Sequence, residues 1–83
     1  MSRTAFEPGV PHWARLIAAR IHTERGRRGL TQAAVAGRAG VRTATVWQAE
    51  NDPSRMRLDT LQKILAALDL GISLLQIEPD SHN

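Results

Sequence analysis

The tract LTQAAVAGRAGVRTATVWQAEN, residues 30–51, limits what this chain can fold into more than any other stretch. Apolar residues recur at Val35, Ala36 and Ala39, stop at Gly40-Val41, and resume at Val46 and Ala49. Each pattern supports a helix of barely more than two turns, and helices that short are marginal in water without tertiary packing. They must lean on each other and on longer neighbours. Thr31 is placed to cap a helix over Gln32–Ala39, because its hydroxyl can accept from an orphan amide of the first turn. Gly40 then stops that helix. A following helix is expected from about Thr43 to Glu50, with Asn51-Asp52-Pro53-Ser54 as the turn cluster after it.

The neighbours are legible on either side. Residues 1–11 contain Pro8, Gly9 and Pro11 and read as an irregular, flexible arm. The first helix should begin near His12 and turn Trp13, Leu16, Ile17 and Ile21 inward, with Glu24 interrupting the stripe and Gly29 as a left-handed cap. A fourth helix should start between Arg57 and Asp59 and carry Leu58, Leu61, Ile64, Leu65 and Leu68 on one side until Gly71 ends it. Ile72-Ser73-Leu74-Leu75-Gln76-Ile77 is rich in strand formers and is closed by Pro79. The organisation expected is an arm (1–11), a helical domain (12–71), a short strand (72–78) and a disordered tail (79–83).

Two helices joined by a short turn containing glycine form the helix-turn-helix pattern. The second of the pair has a distinctive outer face. With Val46 and Ala49 inward, Thr43, Ala44, Trp47 and Gln48 share the opposite side through three- and four-residue steps. Hydroxyl, methyl, aromatic and amide groups can all meet base edges, and no acid stands among them to repel phosphate. Arg42 falls where this helix needs its N-cap, a place where Ser or Thr would be more stabilising by ~1 kcal/mol. Either Arg42 reaches a guanine or a phosphate, or Thr43 caps the helix and Arg42 is a solvated loop residue.

Charge distribution points the same way. From Arg15 to Arg57, nine arginines stand against Glu24, Glu50 and Asp52, a balance of +6. From Asp59 onward the balance is −3. A basic body with an acidic end suits a polyanion on one side. Ten of the eleven basic residues are Arg, whose fork matches phosphate and guanine edges better than Lys does. Candidate phosphate contacts are Arg28, Arg38, Thr45, Arg55 and Arg57.

Gly29-Leu30-Thr31-Gln32, Val35-Ala36, Gly40-Val41, Thr45-Val46 and Glu50-Asn51 resemble the helix-turn-helix of the Xre/Cro class of phage and bacterial repressors. Downstream, RLDTLQKILAALDLGISL is most similar to the HipB antitoxins, autorepressors that partner HipA-like kinase toxins. The resemblance covers roughly residues 12–77. It implies an all-α, lambda-repressor-like bundle of four to five helices, with a C-terminal β-strand pairing across a dimer. It also implies that Gln32 binds a phosphate and braces the recognition helix. Base reading falls on Arg42, Thr43 and Ala44, with Trp47 and Gln48 one turn on. Departures are Ala49, where the class carries a large apolar residue, Glu24, where it is apolar, and Trp47, where it is small and polar. Trp47 either tilts inward to fill the space beside Ala49 or contacts the groove.

A lone apolar strand is an aggregation hazard unless it is covered. Pairing Ile72, Leu74, Leu75 and Ile77 with their twins across a two-fold axis would solve that and enlarge a small core, and pairing with the arm of the same chain is the other solution. A dimer would read half-sites of a palindromic operator one or two helical turns apart. Other function classes find little support. There is no cysteine, the three histidines share no ligand spacing, and the glycines form no phosphate loop. No cofactor, metal site, catalytic group or membrane span is expected, and the setting expected is the bacterial cytoplasm, at the nucleoid. The reading is a sequence-specific repressor of antitoxin type. The alternatives are a phage-type repressor without a toxin, and a helical adaptor whose Trp47 is a protein-binding hot spot.

Overall fold

In the computed structural model, which describes residues 9–71, Pro11 opens the first helix. Its fixed φ suits the chain just ahead of a helix, where a missing amide costs nothing. Helix α1 spans His12–Arg27, α2 Gln32–Ala39, α3 Thr43–Asn51 and α4 Leu58–Ala67, with a 3₁₀ turn at Pro53–Arg55. Helix α2 packs on α3 and α4, while α1 packs on α3 and on the 3₁₀ turn.

The boundaries follow local chemistry. Thr31 Oγ1 accepts from the Ala34 amide at 3.0 Å, the expected cap of α2. Gly40 ends α2 with φ 72°, and the Val41 amide donates back to the Ala36 carbonyl. A Cβ built at Gly40 would meet nothing, so the left-handed backbone, and not crowding, selects glycine there. At the end of α1, Gly29 takes φ 67°, with its amide on Gly26 O and the Leu30 amide on Arg25 O. That double closure satisfies carbonyls the helix would otherwise leave open.

Two expectations are corrected inside α1 and its approach. Val10 is buried and its carbonyl accepts from Arg15 Nε at 3.2 Å, so residues 10 and 11 belong to the folded body and not to the arm. Trp13 and Leu16 are exposed, and the inward stripe is Ala14, Ile17, Ala18 and Ile21. Helix α1 packs on α3 and the 3₁₀ turn through this stripe, in which fully buried alanines stand beside Ile17 and Ile21. Glu24 interrupts the apolar stripe as expected, and the helix runs on past this buried carboxylate to Arg27. It does so because Arg27 Nη2 and Arg28 Nε reach its Oε2 at 2.5 and 2.7 Å.

Helix α4 ends at Ala67, earlier than the expected stop at Gly71. Asp69 takes the left-handed conformation at φ 57°, and the Leu70 amide closes on Leu65 O at 2.8 Å. Aspartate tolerates that conformation better than most residues. Leu61, Ile64, Leu65 and Leu68 enter the core with Ile17, Ile21, Val35 and Val46. Leu58 does not: at 60% exposed it forms one wall of a groove of about 400 Å³ with Trp13, Ile17, Pro53, Ser54, Met56 and Leu61. The strand expected at Ile72, Leu74, Leu75 and Ile77 lies outside the described residues, as do residues 1–8 of the arm and the tail.

The carboxyl of Glu24 carries a pH dependence. Hydrogen bonds from Arg27 and then Arg28 hold it at about 2, against an ordinary value of 4.5. Below pH 4.5 the unfolded chain takes up a proton that the folded chain refuses, so acid destabilises the fold until about pH 2. Urea midpoints should therefore fall between pH 5 and 2, and Glu24→Gln should flatten that fall; an unchanged slope would contradict the assignment.

Candidate nucleic-acid interface

Helix α3 is fixed from two sides. Val46 and Ala49 are fully buried against the core. One residue on, the Glu50 carboxylate turns inward and receives both neighbouring helices. Arg25 donates from Nε to Oε2 at 2.5 Å and from Nη2 to Oε1 at 3.1 Å. His22 Nδ1 lies 2.9 Å and Gln32 Nε2 3.4 Å from Oε1. Arg25 also donates to the Leu30 carbonyl at 2.8 Å, so one guanidinium joins α1, the loop before α2 and the end of α3. Burial pushes the Glu50 carboxyl up, but the bonds from Arg25, His22 and Gln32 outweigh it and hold the group below its ordinary value.

Sequence patterning does not disclose this network, since Glu50 enters there only through the Glu50-Asn51 pair. The His22 side chain is largely exposed, yet its ring nitrogen is committed to Glu50. The available signal was spacing: Val46, Ala49 and Glu50 share one helical face. A carboxylate on an apolar face requires a cation, and His22 and Arg25 lie one turn apart on a neighbouring helix.

The opposite face of α3 is open. Arg42, Thr43, Ala44 and Trp47 are exposed, Trp47 by 55%. Of the two placements open to Trp47, the indole takes the outward one, and Ala49 is packed without it. Thr45 and Gln48 are half-buried. Gln48 Nε2 donates to the Asp52 carbonyl at 3.0 Å and Asn51 Nδ2 to the Trp47 carbonyl at 2.8 Å, so both amides close the C-terminal end of α3. Arg42 occupies the N-cap position without a side-chain cap bond, and the first turn of α3 carries no acid. The positive end of the helix is left undiluted.

The other arginines expected at the interface differ in what already holds them. Among the described residues Arg38 and Arg42 are exposed and make no ion pair. Arg55 and Arg57 are mostly exposed and meet Asp52 at 3.5 Å and Asp59 at 3.1 Å. Surface pairs of that kind are worth little and exchange partners readily. Arg28 differs: its Nε is on Glu24 and its Nη1 is 3.0 Å from Asp69, tying the end of α1 to the end of α4. Gln32 stands at the first position of α2 with its amide toward Glu50. Among the described residues no histidine and carboxylate cluster could hold a metal ion, and no helix is long and apolar enough to cross a membrane.

A pair of short helices, a glycine turn and an acid-free outer face is the arrangement with which such domains approach nucleic acid. The sequence pattern of the helix-turn-helix family matches residues 21–75, from the second half of α1 to beyond α4. No curated protein matches the chain. The chain belongs to the Xre/Cro-type helix-turn-helix family of DNA-binding transcription regulators.

Proposed function

We propose that the chain is a sequence-specific repressor that inserts α3 into the major groove of a duplex and binds a palindromic operator as a homodimer. The observation that carries this is the contrast between the two sides of α3. One side is clamped by Val46, Ala49 and the Glu50 network, and the other offers Arg42, Thr43, Ala44 and Trp47 to solvent with no acid among them. A rigid helix with an unpaired Arg at its entry is what base reading requires.

Arg42 reads a purine edge or its phosphate, Thr43, Ala44 and Trp47 face bases, and Gln48 supports them from the end of the helix. Arg38, Arg55, Arg57 and Thr45 meet phosphates, and Gln32 does so while bracing Glu50. Arg28 already has two carboxylate partners, so its contribution is to hold the loop before α2 more than to bind phosphate. Dimerisation runs through Ile72, Leu74, Leu75 and Ile77. The likeness of residues 57–74 to HipB antitoxins supports a further role, binding a HipA-like kinase toxin from a bacterial cytoplasm where the dimer sits on the nucleoid. Co-purification with a kinase encoded beside this gene tests that part by itself.

Binding to random duplex DNA at two salt concentrations tests the core of the reading. Clear binding at low salt that weakens steeply with added salt is expected, and no binding at low salt would leave an adaptor instead. Arg38→Ala should weaken all sequences alike and lower the salt slope by about 1. A sequence-dependent loss would move Arg38 from phosphate to base contact.

A further inference from the structure

Both side-chain amides near the exposed face of α3 are held at the C-terminal end of the helix instead of lying free along it. Bidentate adenine pairing needs an amide lying flat along the base edge. Gln48 has its Nε2 on the Asp52 carbonyl, and Asn51 has its Nδ2 on the Trp47 carbonyl. No carboxylate stands on this face to accept from the cytosine amino group. Beyond Arg42, the exposed groups are the hydroxyl and methyl of Thr43, the methyl of Ala44 and the Trp47 indole.

In the major groove one base alone projects an apolar group, the 5-methyl of thymine. Methyl and indole surfaces that stand in water gain by covering it. Resting on the DNA-binding reading above, we infer that α3 selects its half-site through thymine 5-methyl groups packed against Thr43, Ala44 and Trp47, with Arg42 as the charged contact beside them. Thr43 and Trp47 lie about 6 Å apart along the helix axis at ~1.5 Å per residue. That is no more than two base steps of ~3.4 Å. The thymines therefore fall on neighbouring or next-but-one base pairs.

The test uses the full chain. Sites are first selected from a random duplex pool, and each thymine is then replaced in turn by deoxyuridine, which removes the methyl and leaves pairing intact. One or two positions per half-site should weaken binding about fourfold each, the worth of one buried methyl. Trp47→Ala should bring the thymine-to-uracil ratio toward one at the position the indole covers and leave it unchanged at a position covered by Thr43 and Ala44. Selected half-sites without thymine, or deoxyuridine tolerated everywhere, would overturn the inference while leaving the DNA reading intact. Loss of all duplex binding by the unmodified chain would overturn both.

Discussion

Glu50→Ala should cost about 3 kcal/mol or more of folding stability, the usual result of removing one member of a buried ion pair. Arg25 would keep its place against the core with no carboxylate to answer its charge, and His22 and Gln32 would lose their shared acceptor. Domains hold only ~5–15 kcal/mol in total, and one of this size sits near the low end. Glu50→Ala should therefore be largely unfolded at mild denaturant. Glu50→Gln keeps an acceptor oxygen and should lose less. Urea unfolding followed by circular dichroism measures both. A midpoint for Glu50→Ala within experimental error of the parent would mean that α3 is not held by this network.

The second large effect concerns the proposed dimer. Leu74→Glu combined with Leu75→Glu places a charge on each face of the segment 72–77, so no register of strand pairing escapes it. Ten buried residues among those described already form a core, so the substituted chain should fold as a monomer. Affinity for a palindromic site should then fall by about 10²–10⁴, because the second recognition helix no longer arrives tethered to the first. Sedimentation and operator titration read the two consequences together. A double variant that remains dimeric would remove the strand from the interface, and a monomer with undiminished affinity would remove the dimer from the function.

Much of the fold was legible because short polar signals and glycines dictate it locally. Thr31 and Gly40 bound α2 where the sequence placed it, and α3 begins at Thr43 as expected. These features depend on backbone amides and φ, which a sequence states directly. What was not legible depended on which of two adjacent helical stripes faces inward. Trp13, Leu16 and Leu58 looked like core by hydrophobicity, but the buried stripe of α1 runs through Ala14 and Ala18, and Leu58 precedes the part of α4 that meets the core. That Glu24 is buried was not legible, because its partners, Arg27 and Arg28, count as surface charge until they fold back onto it.

The candidate site divides the same way. Its exposed members, Arg42, Thr43, Ala44 and Trp47, follow from helical periodicity once Val46 and Ala49 are inward. Its support follows only in part. Periodicity turns Glu50 toward the apolar face, but its contacts with His22, Arg25 and Gln32 join residues 18 to 28 positions apart, and no local pattern says which cations answer it. Arg28 shows the converse, a cation that composition assigns to phosphate and the fold assigns to Glu24 and Asp69.

The claim on which the rest depends is that the open face of α3 is the surface that meets duplex DNA. Backbone amide chemical shifts of the full chain, followed while a selected duplex is added at low salt, test it residue by residue. Changes centred on Arg42 through Gln48 and on the first turn of α2 are predicted, with smaller ones around Arg55 and Arg57 and with the α1 side of the groove at Trp13 and Ile17 little altered. Changes centred on that groove with α3 undisturbed, or no changes at all, would contradict it.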